Sequence, residues 1–332
     1  MGAPALGLSE KQLDLRRTGV GASEVAAVIG VHPTKSAIDV WMAKQPDAPE
    51  SDGGSLAEFG HRVERILGEA WVDRHGAEGL RIYTPGTLRH PTHDWALASP
   101  DRVVATPGLG RPARADWKSL LEMKAAFFSD REYGDGADEV PERHLVQVAW
   151  QLAVTGLEEG TLVALVRGDY REYPITRDRE LEELLLDQVG RFWREHVLAG
   201  VPPAVDGSDG WAGYLRRRYP RDAAPLLPAT PEALDLAAKL KEAKAAAKAA
   251  GVLEEQLSQA LKLAIGDAAG IEGVASWKAN RDGQKTDWEA TARQLFARLA
   301  GPMNQQLLDE VIAANTTHKP GARVLRLLGG TT

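Results

Sequence analysis

A run of short apolar segments, broken by Pro, Gly and Asp and interrupted once by a helical pattern, constrains this chain most. After Gly79 the segments LRIYTPGTLRH, WALASPDRVVAT and LLEMKAAF are short and apolar or alternating, and read as antiparallel strands joined by turns. VPERHLVQVAWQLAVTG returns to helical spacing, GTLVALVRG and YREYPITR read as two more strands, and RELEELLLDQVGRFWREHVLAG as a further helix. Helices, strands, helix, strands, helix in that order predict an α/β (α+β) protein with a mixed central sheet and flanking helices.

The segments on either side fit that frame. In RRTGVGASEVAAVIGVHP, Ser23 is expected to cap a helix that stops near Gly30 and Pro33. A second helix is expected around Ala37 to Lys44. LAEFGHRVERILGEAWVDRHG carries Phe59, Val63, Ile66, Leu67 and Trp71 at helical spacing. Towards the other end, SDGWAGYLRRRYPRDAAPLLPATP is rich in Pro and Gly and reads as a loop at a boundary, which places a core at 1–215 and an appendage at 216–332. Thr230 with Pro231 starts an Ala/Lys/Glu-rich helical stretch, with Gly251 breaking it into a helical hairpin that ends near Ile265. VASWKANRDGQKTDW reads as a β-hairpin turning at Asp282-Gly283, and ARVLRLLG as a last strand.

The 332 residues are 43% hydrophobic and 26% charged, enough apolar content for a packed core. No apolar run approaches the ~18 residues of a membrane span, and MGAPALGLSEKQ lacks the basic and apolar regions of a secretory signal. The absence of cysteine excludes disulfides, thiolate metal sites and cysteine nucleophiles, and suits a reducing cytoplasm. A net charge of −7 argues against non-specific coating of nucleic acid but leaves room for a local basic groove.

Within LLEMKAAFF, Glu122 and Lys124 interrupt an apolar strand, and ionised side chains are costly to bury without partners. On a strand they share a face, with Met123 on the other. Upstream, Pro100 limits strand pairing beside Asp101, so a neighbouring strand could end with Asp101 next to Glu122. Two carboxylates and a backbone carbonyl make the all-oxygen set that a hard divalent cation prefers, and Lys124 could then orient a water and balance charge on a phosphate. The alternative for the pair alone is a salt bridge on a solvated strand face.

Asp101, Glu122 and Lys124 in this order resemble the signature of the PD-(D/E)XK nuclease superfamily. RRTGVGASEVAAVIGVHPTKSAIDVWMAK, EFGHRVERILGEAW and VPERHLVQVAWQLAVTG narrow the resemblance to the phage lambda exonuclease or YqaJ-type viral recombinase family, over about residues 10 to 200. The resemblance implies a restriction-endonuclease-like core. It implies that Asp101, Glu122 and the Met123 carbonyl hold the metal, Mg²⁺ with Mn²⁺ as a substitute. Lys124 would activate water, Glu64 and Gln147 would support the site, and Arg16 (or Arg17 by a one-residue slip) with Ser23 would grip a 5′-phosphate. The activity implied is a metal-dependent deoxyribonuclease, digesting linear duplex DNA 5′ to 3′ from its ends and leaving 3′ tails for a single-strand annealing partner. A homo-oligomeric ring of three or four chains, encoded by a phage or prophage and working in the bacterial cytoplasm without a membrane, is implied as well. Rival readings are another endonuclease or resolvase of the superfamily, and a non-catalytic scaffold that binds DNA ends. The chain departs from many relatives in having Arg102 after the motif aspartate and Ala125 after the lysine.

Other features carry less. His75, His90, His93 and His144 match no zinc spacing and are expected on surfaces or loops. Arg216, Arg217, Arg218 and Arg221 could track DNA phosphates or simply sit in a solvated loop. The nine tryptophans mostly fall on apolar helix faces, as core residues do.

Overall fold

The computed structural model describes residues 15–46, 48, 54–76, 79–106, 111–126, 133–134, 139–221, 226–280, 283–298, 305–319 and 323–327. The chain divides into two compact units, Met1–Ala223 and Ala224–Thr332.

In the first unit the chain runs β1 (Val20–Gly21), α1 (Ala22–Val28), α2 (Ala37–Ala43), α3 (Gly54–His75) and β2 (Arg81–Tyr83). It continues with β3 (Leu88–Arg89), β4 (Ala96–Ala98), β5 (Arg102–Ala105), β6 (Trp117–Ala126) and α4 (Glu142–Thr155). It closes with β7 (Glu159–Val166), β8 (Asp169–Thr176), α5 (Arg179–Phe192) and α6 (Asp209–Arg218). The main sheet has the order β2-β5-β6-β7-β8 and a small one the order β1-β4-β3. β6 and β7 are parallel, because the crossover helix α4 joins them, and the other neighbours in the main sheet are antiparallel. This is the mixed sheet with flanking helices expected from the segment order.

Both faces of β6 are covered, so Leu120, Leu121, Glu122 and Met123 are all buried. One face packs Val104, Leu121, Met123 and Val163 against Val63, Leu67 and Trp71 of α3. Phe59 and Ile66, expected on that helical stripe, are exposed. The other face sets Val103, Leu120, Leu162 and Ala164 against Val148 and Leu152 of α4. A third cluster, which includes Val20, Ile38, Trp41, Trp95, Trp150, Phe192 and Trp211, joins the small sheet to α1, α2, α4, α5 and α6.

Two local expectations in this unit are corrected. Gly21, not Ser23, is the N-cap of α1, and its N–H donates to Glu24 Oε2 at 2.8 Å. The stretch read as a loop at 208–218 forms α6, because Ser208 Oγ accepts from Trp211 N–H and the Trp211 ring is buried.

The second unit contains α7 (Pro231–Ile265), β9 (Gly270–Ile271), β10 (Ala275–Ala279), β11 (Gly283–Thr286), α8 (Trp288–Arg298), α9 (Gln305–Ala314), β12 (Thr316–Lys319) and β13 (Arg323–Leu327). Thr230 Oγ1 caps α7 by accepting from Ala233 N–H, with Pro231 in the first turn. The helix passes through Gly251 unbroken for 35 residues, so the expected hairpin of helices is one helix. The β-hairpin expected over 274–288 is not made either: β10 pairs with β9 and β13, and β11 pairs with β12. Asp282, at its expected turn, lies outside the described residues. Among the described residues no helix is long and apolar enough to cross a membrane.

Candidate active site

The site grows out of the end of a strand pair. β5 and β6 pair from Arg102 opposite Leu121, and continuing that register would set Pro100 opposite Met123. Proline has no N–H to give the ladder, so the pairing ends there and the main chain of β6 needs another partner. Asp101 supplies it: its Oδ2 accepts from Met123 N–H at 2.7 Å. The sequence places Asp101 at the strand end, and the structure shows that its carboxylate finishes the ladder.

Glu122 and Lys124 then point together towards α4, while the Met123 side chain packs beneath α3. Glu122 is 2% exposed and is tied down by three donors. Lys124 Nζ and Gln147 Nε2 each donate to Oε1 at 2.5 Å, and Gln151 Nε2 donates to Oε2 at 2.7 Å. Charge-assisted bonds of this kind are what make a buried carboxylate tolerable. Gln147 and Gln151 are four residues apart on α4 and so share the face turned to β6. Gln151, fully buried, is a member of the site that the sequence reading missed. Its spacing from Gln147 was the available signal.

Electrostatics concentrate negative charge here. Burial pushes the Asp101 carboxyl well above the usual carboxylate range; Glu122 and Glu64 add to the shift, and Lys124 and the Met123 N–H oppose it. Burial alone would lower the Lys124 pKa, but Glu122, Asp101 and Glu64 outweigh it and hold the ammonium above an ordinary lysine. Glu64, on α3, belongs to this field, and its Oε2 lies 3.1 Å from His61 Nδ1. With all groups ionised, three carboxylates against one ammonium leave an excess of two negative charges. Gln151 Oε1 is moreover buried without a partner. The oxygen donors and the charge excess fit a hard divalent cation. Among the described residues, no three Asp, Glu or His side chains converge into a ready-made cage.

His144 lies one turn before Gln147 on α4, and its Nδ1 is 2.7 Å from the Tyr133 hydroxyl. Burial, then the charges of Lys124, Arg143 and His32, lower its pKa to about 3, so the imidazole is neutral. The other histidines weighed from sequence sit elsewhere: His75 pairs with Glu172, and the rings of His90 and His93 lie 4.9 Å apart.

Arg16, Arg17 and Ser23 flank β1 and are all exposed. The segment is anchored from beneath. Lys44, buried at the end of α2, donates to Arg16 O at 2.7 Å and to both oxygens of Glu24 at 2.8 and 2.6 Å. Burial lowers the Lys44 pKa, against the pull of Glu24. Ser23 is inside the first turn of α1 rather than at its cap, so it offers a hydroxyl and not the cap geometry expected. β1 pairs in parallel with β4, Val20 opposite Ala96, and β4 leads through Ser99 and Pro100 to Asp101. The arginine segment and the carboxylate cluster therefore sit on two sheets that meet at the β4–β5 corner.

Fold and site together define an α/β domain that presents a strand-borne acidic and lysine cluster. Residues 11–158 match the model of the YqaJ-like viral recombinase domain. It is 31% identical over 211 residues to the uncharacterized protein YqaJ of Bacillus subtilis (strain 168), a match that spans 61% of each protein. Among solved structures, an alkaline exonuclease from Laribacter hongkongensis is 21% identical, covering 63% of this chain and 97% of its own, with a TM-score of 0.45. A phage related exonuclease from Haemophilus somnus 129PT is 12% identical, covering 55% and 94%, with a TM-score of 0.41.

Proposed function

We propose that the first unit is a Mg²⁺-dependent DNA exonuclease, digesting linear duplex DNA 5′ to 3′ and leaving 3′ single-stranded tails. The observation that carries this reading is Glu122: a buried carboxylate held in one orientation by Lys124, Gln147 and Gln151, next to Asp101 at a strand end. Asp101, Glu122 and the Met123 carbonyl would hold the Mg²⁺, for which Mn²⁺ substitutes, and Glu64 adds to the field that attracts it. When bound, the cation supplies Lewis acidity towards a phosphate oxygen and lowers the pKa of water.

The chain's own side chains account for the rest. The Lys124 ammonium stays charged at working pH, so it can orient a water and offset charge building on the phosphate. Gln147 and Gln151 keep Glu122 from rotating, which fixes the geometry before substrate arrives. Arg16, with Arg17 beside it, and the Ser23 hydroxyl would hold the 5′-phosphate at the strand to be cut. The tailed product would pass to a single-strand annealing protein, and the working form would be a homo-oligomeric ring.

End-labelled linear duplex, carrying 5′-phosphate or 5′-hydroxyl, tests the reading. Digestion that needs Mg²⁺, prefers the phosphate, spares closed circles and is lost in Lys124→Ala is the expected result. Cutting of closed circles, or undiminished digestion by Lys124→Ala, would overturn it. Sedimentation showing monomer alone, with and without DNA, would remove the ring.

A further inference from the structure

A groove between α2 and α6, outside the cluster just described, has the chemistry of a nucleotide seat. We infer that it binds single-stranded DNA, with one base against Tyr214 and the neighbouring phosphates on Arg217 and Arg218. The inference deepens the nuclease reading, which supplies the strand.

The groove is built on a rigid frame. The Tyr214 ring meets Trp41 edge-on at 5.8 Å and Trp211 at 5.3 Å. Trp41 Nε1 donates to His196 O and Trp211 Nε1 to Ala204 O, both at 3.0 Å. Ser36 Oγ and Ser208 Oγ, at the starts of the two helices, are 2.9 Å apart. The space enclosed is about 570 Å³, lined by Trp41, Met42, Gln45, Tyr214, Arg217 and Arg218 among others. That volume falls within the range of small-molecule sites and suits one nucleotide.

The charge pattern selects the ligand. Arg216, Arg217, Arg218 and Arg221 are exposed at the end of α6, and none has a carboxylate partner among the described residues. Arg179 and Arg191, also exposed in this unit, do have carboxylate partners, Glu158 and Asp187. Favourable interaction with the helix dipole explains a cation in the last turn, not three there with Arg221 just beyond. Arg217 Nη2 lies 2.6 Å from Met42 Sδ, a weak acceptor that a phosphate oxygen would outcompete. Asp39, the acid on the groove wall, already accepts from Ser36 N–H at 2.9 Å. An aromatic wall beside guanidinium groups that hold no carboxylate is how single strands are held without regard to sequence. The groove also adjoins the arginine segment, since Lys44 at the end of α2 holds the Arg16 carbonyl. A strand anchored near Arg16 can therefore continue along α2 into the groove.

Fluorescence anisotropy with the full chain in EDTA, where nothing is cut, tests this with a labelled oligothymidine of about 15 nucleotides. Arg217→Ala with Arg218→Ala should weaken binding about tenfold and flatten the log–log salt slope by roughly 1.4, the share of two phosphates on a single strand. Tyr214→Leu should weaken it about tenfold, and Tyr214→Phe, which keeps a stacking face, should not. Wild-type binding by the variant of the arginine pair, whose side chains are exposed, overturns the inference whatever Tyr214→Leu does. Equal binding by Tyr214→Leu and wild type overturns the stacked base, and competition by polyglutamate as strong as by oligothymidine assigns the groove to acidic peptide instead. Digestion of linear duplex by wild type is scored in parallel. Loss of oligothymidine binding in the variants without any such digestion would keep the groove and remove the nuclease reading.

Discussion

Lys124→Ala tests the electrostatic account of the site before any substrate is added. The Lys124 side chain is 25% exposed and its Glu122 partner 3% exposed, at 2.5 Å. Removing one partner of a buried pair costs about 3–5 kcal/mol. Water reaching the partly open lysine side and the two amides left on Glu122 reduce this to roughly 2–3 kcal/mol at neutral pH. The sign of the pH dependence follows from Asp101. Its folded pKa is already raised by burial and by Glu122, and losing Lys124 raises it further. A carboxyl raised in the folded state contributes stability below its unfolded pKa and loses it as pH rises through the folded value. The deficit of Lys124→Ala against wild type should therefore be small in acid and largest near neutrality. Glu122→Gln added to Lys124→Ala should recover much of the loss, because the uncompensated charge goes with it. Urea unfolding followed by tryptophan fluorescence reads this out, since Trp41, Trp71, Trp95, Trp150, Trp193 and Trp211 are all buried in the first unit. An equal deficit in acid and at neutrality, or no recovery in the double variant, would refute the reasoning.

Three further perturbations probe the frame around the site. Gly19→Ala should destabilise the first unit by about 2 kcal/mol or more in a thermal melt, because the new Cβ would lie 2.2 Å from Trp95 O and force β1 off β4. Gly251→Ala should stabilise α7 by about 0.5–1 kcal/mol, as nothing lies within 4 Å of the added methyl, and circular dichroism against urea would register it. His144 ought to make the first unit acid-sensitive. Its folded pKa of about 3 lies below the ordinary 6.5, so the unfolded chain takes the proton first and stability falls as pH drops between those values. The full shift corresponds to at most ~5 kcal/mol, and His144→Phe should flatten this part of the stability profile.

What was legible in the sequence was what short-range pattern controls. The strand and helix order around β6 followed from apolar spacing and from Pro and Gly at the breaks, and Asp101 was placed at a strand end by Pro100. Errors fell where a distant partner decides. The 208–218 segment looks like a loop by its Gly content, yet Trp211 finds a buried seat and Ser208 caps the helix. Gly251 costs about 1 kcal/mol inside a helix, which is less than breaking and reversing it would cost without a packed partner. Asp282-Gly283 is a strong hairpin signal, but instead of pairing with each other β10 pairs with β13 and β11 with β12, each 30 or more residues away in sequence.

The anomaly inside LLEMK shows the same boundary at the scale of one side chain. Strand periodicity puts Lys124 beside Glu122, and a salt-bridged surface pair would satisfy that much. It does not account for a carboxylate at 2% exposure, whose second oxygen is taken by an amide 29 residues further along the chain. A leucine at 122 facing apolar residues at 147 and 151 would give the strand at least as much stability as the buried polar network does. Burial energy therefore gives no reason for Glu122, for the two amides that orient it, or for Asp101 and Glu64 in the same field. On the function proposed above, a divalent cation and a phosphate would give one: the cation would supply the positive charge that three carboxylates lack, and the phosphate a second anion for Lys124 beside Glu122.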